Sequence, residues 1–192
     1  MRFSFDYISP YAYLAWTQIH ELAAKHDRTV EPVPVLFAGL LKAWGHKGPA
    51  EIPPKKRYVG KDIARNARVL RQPVRPPPQH PFNPLLSLRV SCLLMSDAQR
   101  NALVNGLFGA TWASGEGVTD PAVVERIARS CGVPNALERA LEQEAKDALR
   151  NNTEEAVARG LWGVPTIEVD GELFWGLDSL QHLDRFLEGV GR

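Results

Sequence analysis

The sequence predicts an α/β fold in which a small sheet, drawn from both ends of the chain, is interrupted by a large all-helical insertion. Three features carry this expectation. Residues Arg2 to Asp6 alternate apolar and polar side chains with Phe3 and Phe5 on one face, as a short strand does. Near the other end, Pro165 to Val169 and Glu172 to Trp175 are two β-rich runs joined through Asp170-Gly171, a hairpin signal. Residues 40 to 160, by contrast, show almost no strand-like alternation and repeated helical periodicity.

Taken in order, the first strand leads into a turn at Tyr7 to Pro10. Ser9 before Pro10 marks a helix start, because serine caps free backbone N–H groups and proline is tolerated at the first helical position. That helix is expected to run to about His26, with Ala12, Ala15, Trp16, Ile19, Leu22 and Ala23 on one face. Val30 to Phe37 reads as a second strand, moved toward a sheet edge by Pro32 and Pro34. Helical stretches follow at about 58–71, 85–95, 97–113, 121–131, 135–149 and 153–160. Residues 72–84 cannot be a helix, since their prolines remove donors and restrict the residues before them. After Gly176, Asp178 or Ser179 is expected to cap a final helix reaching about Glu188. This order suits a thioredoxin-like sheet formed by residues 1–38 and 153–192, with 39–152 as the helical insertion.

Composition narrows the function classes. The 192 residues, 44% hydrophobic with 23 basic and 22 acidic side chains, support a full core and carry no charge block for nucleic acid or an anionic membrane. The N-terminus contains Asp6 and lacks a signal-peptide pattern, and nowhere do about 18 apolar residues run together, so a cytoplasmic protein is expected. Cys92 and Cys131 are far apart, which leaves a Cys-x-x-Cys redox site, a disulfide framework and a zinc cluster without ligands. His20, His26, His80 and His182 have no metal-binding spacing, so no metal is expected. A serine hydrolase is disfavoured because no Gly-x-Ser-x-Gly elbow surrounds Ser9. From its local sequence, Ser9 reads as a helix cap.

Five segments in sequence carry a resemblance: Phe5-Asp-Tyr-Ile-Ser-Pro-Tyr-Ala-Tyr-Leu14, Pro34-Val-Leu-Phe-Ala-Gly-Leu-Leu-Lys-Ala-Trp-Gly45, Pro54-Lys-Lys-Arg-Tyr58 with Asp62, Gly163-Val-Pro-Thr166, and Gly176-Leu-Asp-Ser179. In this order they resemble the glutathione-dependent 2-hydroxychromene-2-carboxylate isomerases, relatives of the kappa-class glutathione transferases in the broader DsbA-like group. The resemblance implies a homodimer that binds glutathione and isomerises 2-hydroxychromene-2-carboxylate, or a related unsaturated aromatic acid, by reversible thiolate addition. A cis bond before Pro165 is implied as well. Ser9 stands where DsbA-like oxidoreductases carry a reactive cysteine, so its hydroxyl would donate to a thiol borrowed from glutathione. Lowering that thiol from its reference value near 8.5 by about two units needs roughly 2.7 kcal/mol, within reach of a charge-assisted hydrogen bond plus a helix N-terminus.

The same resemblance assigns the Val164 backbone to the cysteinyl unit of glutathione, with Pro165 beside it. Asp178 and Ser179 would take the γ-glutamyl end and Lys55 the glycyl carboxylate, while Asp62 is an acid near the site. His46 departs from the family, whose members often have asparagine there; histidine still donates a hydrogen bond and can change charge near neutral pH. Tyr11, Phe37, Trp44 and Trp162 are candidates for an aromatic-lined substrate pocket, with core packing as the alternative role of each. Two other functions fit the sequence: a kappa-like transferase, which consumes glutathione, and a non-catalytic thioredoxin-like binding protein.

Overall fold

The computed structural model describes residues 1–189. Four short strands, β1 (Arg2–Phe5), β2 (Glu31–Pro34), β3 (Thr166–Val169) and β4 (Glu172–Trp175), form one mixed sheet in the order β2-β1-β3-β4. β1 runs parallel to β2 and antiparallel to β3, and β3 pairs antiparallel with β4. Asp170 and Gly171 both take positive φ, at 51° and 86°, as a tight hairpin turn requires.

β2 is indeed an edge strand, and its prolines sit where an edge tolerates them. The flanking ladder bonds are given by Glu31 N–H to Met1 O and by Val35 N–H to Phe5 O, both 2.9 Å. Strand alternation then turns the backbone nitrogens of Pro32 and Pro34 outward, where an N–H would have stood unpaired.

Nine helices are seen among the described residues: α1 (Pro10–Lys25), α2 (Phe37–Ala43), α3 (Pro53–Leu70), α4 (Leu85–Cys92), α5 (Asp97–Phe108), α6 (Pro121–Ser130), α7 (Ala136–Leu141), α8 (Gln143–Ala158) and α9 (Leu180–Leu187). Three boundaries differ from the sequence reading. The second strand stops at Pro34, and Phe37 opens the short α2, because the Asp6 carboxylate accepts the Phe37 N–H at 2.9 Å. α3 begins at Pro53 rather than 58, since prolines are tolerated in a first helical turn. The expected break at 150–152 falls instead at Glu142. Asn152 and Thr153 stay helical and turn their side chains to Pro34 O and Leu36 N–H, at 3.2 and 3.0 Å.

One continuous core runs from β1 and α1 into α4 to α8. At its centre the fully buried rings of Phe5, Tyr7 and Phe108 lie 4.9–5.4 Å apart. Each such ring contributes roughly 1.5–3 kcal/mol by burial. A smaller cluster of Val33, Val35, Leu40, Ala156, Leu161 and Val164 lies around α2 and α8. No helix among the described residues is long and apolar enough to cross a membrane.

Candidate active site

The site begins at the turn between β1 and α1. Ser9 is the α1 N-cap in extended backbone conformation, and its Oγ accepts the Ala12 N–H at 3.1 Å. The same hydroxyl donates to the Val164 carbonyl at 3.3 Å. Val164 precedes Pro165 through a cis peptide bond. Ser9 thus joins two of the five segments that carry the resemblance, 155 residues apart in the chain.

The turn is braced at successive residues. Asp6 O accepts the Ser9 N–H at 3.1 Å, and Asp6 Oδ1 accepts the Ile8 N–H at 3.0 Å. Trp112, presented by a π turn at Gly109–Ala113, donates its indole N–H to Tyr7 O at 2.8 Å. His80, in the proline-rich loop, donates a ring N–H to Ile8 O at 2.9 Å. Burial lowers the His80 pKa, the bond to Ile8 O opposing this and nearby Lys56 adding to it. Burial drives the Asp6 carboxyl the other way, up to about 7, against the two backbone N–H groups that favour its charged form. Asp6, His80 and Trp112 were not singled out in the sequence. Their role is set by partners far away in the chain, with no local motif to mark it.

On one flank, Tyr11 Oη donates to Asp62 Oδ2 at 2.8 Å, and Asn66 Nδ2 donates to the same oxygen at 3.0 Å. Burial raises the Tyr11 pKa, followed by its bond to Asp62 and by the charge of Asp62, Tyr58 and Asp178. Tyr11, Asp62 and Asp178 therefore share one neighbourhood. Lys55 is exposed on α3, seven residues before Asp62 and so about 10 Å along the same helix face.

Gly176 N–H donates to Pro165 O at 2.9 Å, which ties the turn between β4 and α9 to the same backbone segment. The expected cap of α9 is corrected: Ser179 Oγ donates back to Gly176 O at 2.8 Å, and no side chain caps the helix at Ser179. The reason is conformational. Ser179 already has helical angles, φ −72° and ψ −12°, rather than the extended backbone of a side-chain cap.

The aromatic candidates do not form a single wall. Phe37 packs against the cluster that holds Val164 and Leu161. Trp44 donates its indole N–H to Leu161 O at 2.9 Å, and Trp162 meets Trp175 with ring centroids 5.9 Å apart. These three tryptophans are 46%, 44% and 50% exposed, in a residue type that is normally well covered. Trp175 lies over Gly163, where an added Cβ would stand 2.5 Å from the indole nitrogen. In sequence, Trp175 looks like nothing more than the end of a hairpin strand. His46 is exposed, its backbone N–H bonded to Leu41 O at 2.9 Å.

Cys92 and Cys131 are both free, and burial pushes the Cys92 thiol up to about 12. Among the described residues no group of three or more potential ligands is arranged for a metal. A cleft of about 650 Å³ along β2 is lined by Arg2, Arg28, Arg100, Glu31 and Asp97, away from Ser9.

Residues 1–188 match the model of the DSBA-like thioredoxin domain. The chain belongs to this DSBA-like family. Within it, the chain is 28% identical over 204 residues to a protein named glutathione S-transferase kappa 2 of Caenorhabditis elegans, covering 97% of this chain and 91% of the relative. It is 27% identical over 192 residues to a 2-hydroxychromene-2-carboxylate isomerase of Sphingobium xenophagum, covering 96% of both. A solved 2-hydroxychromene-2-carboxylate isomerase superposes with a TM-score of 0.90 at 26% identity, over 98% of this chain and 94% of that one. This member of the family thus carries serine at the α1 N-terminus, and neither of its cysteines lies there.

Proposed function

We propose that this chain is a glutathione-dependent isomerase of unsaturated aromatic acids, 2-hydroxychromene-2-carboxylate or a close analogue among them. The observation that carries the reading is the buried Ser9 hydroxyl, held at the N-terminus of a 16-residue helix and against the carbonyl that precedes cis-Pro165. A hydroxyl proton and a helix N-terminus both favour an anion at that point.

The residues present fit the tripeptide. Ser9 supplies a donor for the sulfur, the Val164–Pro165 segment supplies backbone for the cysteinyl unit, and Asp178 supplies an acid for the γ-glutamyl ammonium. Ser179 stands at the uncapped start of α9 for the adjoining carboxylate, and Lys55 supplies a mobile cation for the glycyl carboxylate. When bound, glutathione would supply a thiol nucleophile that adds reversibly to an unsaturated carbon and is regenerated.

Ser9 has the central task. Turning its O–H from Val164 O toward the sulfur stabilises the charged form without moving the helix, because the braces on Asp6, Tyr7 and Ile8 hold the turn in place. Asp62, already bonded to Asn66, fixes Tyr11 two residues beyond Ser9 on α1. The exposed indoles of Trp44, Trp162 and Trp175 offer flat apolar surface to the aromatic acid, while Phe37 supports Val164 from the smaller cluster and His46 lies beside Trp44 in the chain. Homodimeric assembly accompanies this reading by resemblance alone.

The 28% identity to a kappa-class transferase favours a second reading, in which glutathione is consumed to form a conjugate. One assay separates the two. The chromene carboxylate is incubated with enzyme and glutathione, its ultraviolet spectrum is followed, and total glutathione is measured before and after. Conversion with glutathione unchanged supports the isomerase, and stoichiometric loss supports the transferase. Absence of both, together with no calorimetric signal for glutathione, supports a non-catalytic protein and ends the proposal.

A further inference from the structure

A groove of about 490 Å³ lies between α2, the start of α4 and α8, and none of its lining residues is among those assigned to glutathione. Leu36, Leu85, Leu149 and Val157 make its surface largely apolar. Gly39 lets α2 approach α8 closely there, since an added Cβ would stand 2.8 Å from Thr153 Cγ2.

Arg89 of α4 gives this groove a chemical character. Its Nε is buried and has no hydrogen-bond partner. Arg89 also forms no ion pair among the described residues, whereas Arg150 of the same lining is paired with Asp147 at 2.7 Å. The groove is lined by three cations, Arg89, Lys146 and Arg150, against one acid, Glu154. A buried orphaned donor is a standing cost to the fold, and the part-exposed side chain that carries it lines the groove, where an acceptor can meet the rest of its guanidinium.

We propose that this groove binds an amphipathic organic carboxylate with a medium-length apolar chain, the apolar portion on Leu36, Leu85, Leu149 and Val157 and the carboxylate on Arg89. Arginine suits a carboxylate because its planar fork donates two parallel hydrogen bonds, and Lys146 adds positive charge nearby. Glutathione does not fit, being polar along its whole length. A neutral apolar compound would leave Arg89 unsatisfied. The site is independent of the chemistry at Ser9.

Calorimetric titration of octanoate into the full chain tests this, with 1-octanol as the uncharged probe. The expected result is one octanoate per chain, at least tenfold weaker binding of octanol, and at least tenfold weaker octanoate binding by Arg89→Met. That variant keeps or raises the thermal midpoint, since it removes an unpartnered buried donor. Val157→Glu, which adds a negative charge in the lining, gives the same loss should Arg89→Met fold poorly. Ser9→Ala binds octanoate as the parent does. The proposal is overturned by no octanoate binding to the parent, by folded Arg89→Met and Val157→Glu that bind it unchanged, or by loss of binding in Ser9→Ala. It is equally overturned if sedimentation shows a dimer that Val157→Glu splits and octanoate leaves intact, because a second copy then covers the groove.

Discussion

Two helix starts, those of α1 and α9, follow chain that is hydrogen-bonded to the Val164–Pro165 segment, through Ser9 itself and through Gly176 four residues before α9, and each carries a serine, yet only one serine caps its helix. Ser9 has φ −93° and ψ 112°, which swings its hydroxyl over the first turn to Ala12 N–H. Ser179 has φ −72° and ψ −12°, and its hydroxyl points back to Gly176 O. The residue type is identical, so the difference comes from the chain leading in. Before Ser9 the backbone is held by Asp6, Trp112 and His80, whereas before Ser179 it turns at Gly176 with φ 92°. A serine at a helix start therefore has two possible jobs. The first serine combines a structural bond with a redirectable proton, and the second leaves the end of its helix uncapped.

The largest test of this contrast is Ser9→Ala. It is expected to lower glutathione-dependent turnover by about a hundredfold, as loss of one preorganised donor does, and to cost about 1 kcal/mol of stability as a lost cap. Titration of the bound thiol checks the assigned role directly, because its pKa should rise; an unchanged titration removes Ser9 from the chemistry.

Next is Asp6→Asn, aimed at the brace. Asparagine has one acceptor oxygen for two backbone N–H groups, so either Ile8 or Phe37 loses its partner, at roughly 1–3 kcal/mol. The pH dependence carries a definite sign. The folded carboxyl is raised from 3.8 to about 7, so the stability it contributes is fully present below its unfolded value and is lost as pH rises through 7. The asparagine variant lacks that slope, worth at most about 4 kcal/mol. Its disadvantage in urea unfolding should therefore be greatest near pH 4 and shrink near pH 8; parallel curves for the two proteins would contradict this.

A smaller effect is expected for Tyr11→Phe. Asp62 keeps its bond to Asn66, so stability read from urea unfolding should fall by about 1 kcal/mol or less. The smallest belongs to Ser179→Ala. With no cap to lose, thermal unfolding should move by no more than about 0.5 kcal/mol, half or less of the loss at Ser9. Equal losses at the two serines would erase the contrast.

Much of this was legible in the chain itself. Alternation in Arg2–Phe5, the Ser9-Pro10 start and the Asp170-Gly171 turn are local signals, and each is found where expected. That Ser9 and the Val164-Pro165 segment belong to one site was implied by the family resemblance alone, and the fold brings them within a 3.3 Å hydrogen bond. The braces on the turn were not legible, because His80 and Trp112 carry no motif and gain their role from carbonyls about 70 and 105 residues away. The start of α2 was missed for a similar reason: apolar residues 35–37 continue a strand pattern, and a distant carboxylate captures the Phe37 N–H instead.

By itself, then, the sequence determined most of the strands and helices, though not α2, and that a serine rather than a cysteine stands at the first helix, because those follow from backbone preference and side-chain period. Tertiary structure alone decided which serine caps and which does not. It also buried Asp6 against two backbone N–H groups, left three indoles exposed beside the Leu161–Val164 backbone, and stranded Arg89 without a partner. Burial and the direction of a hydrogen bond depend on what the rest of the chain brings near, and no local pattern encodes that.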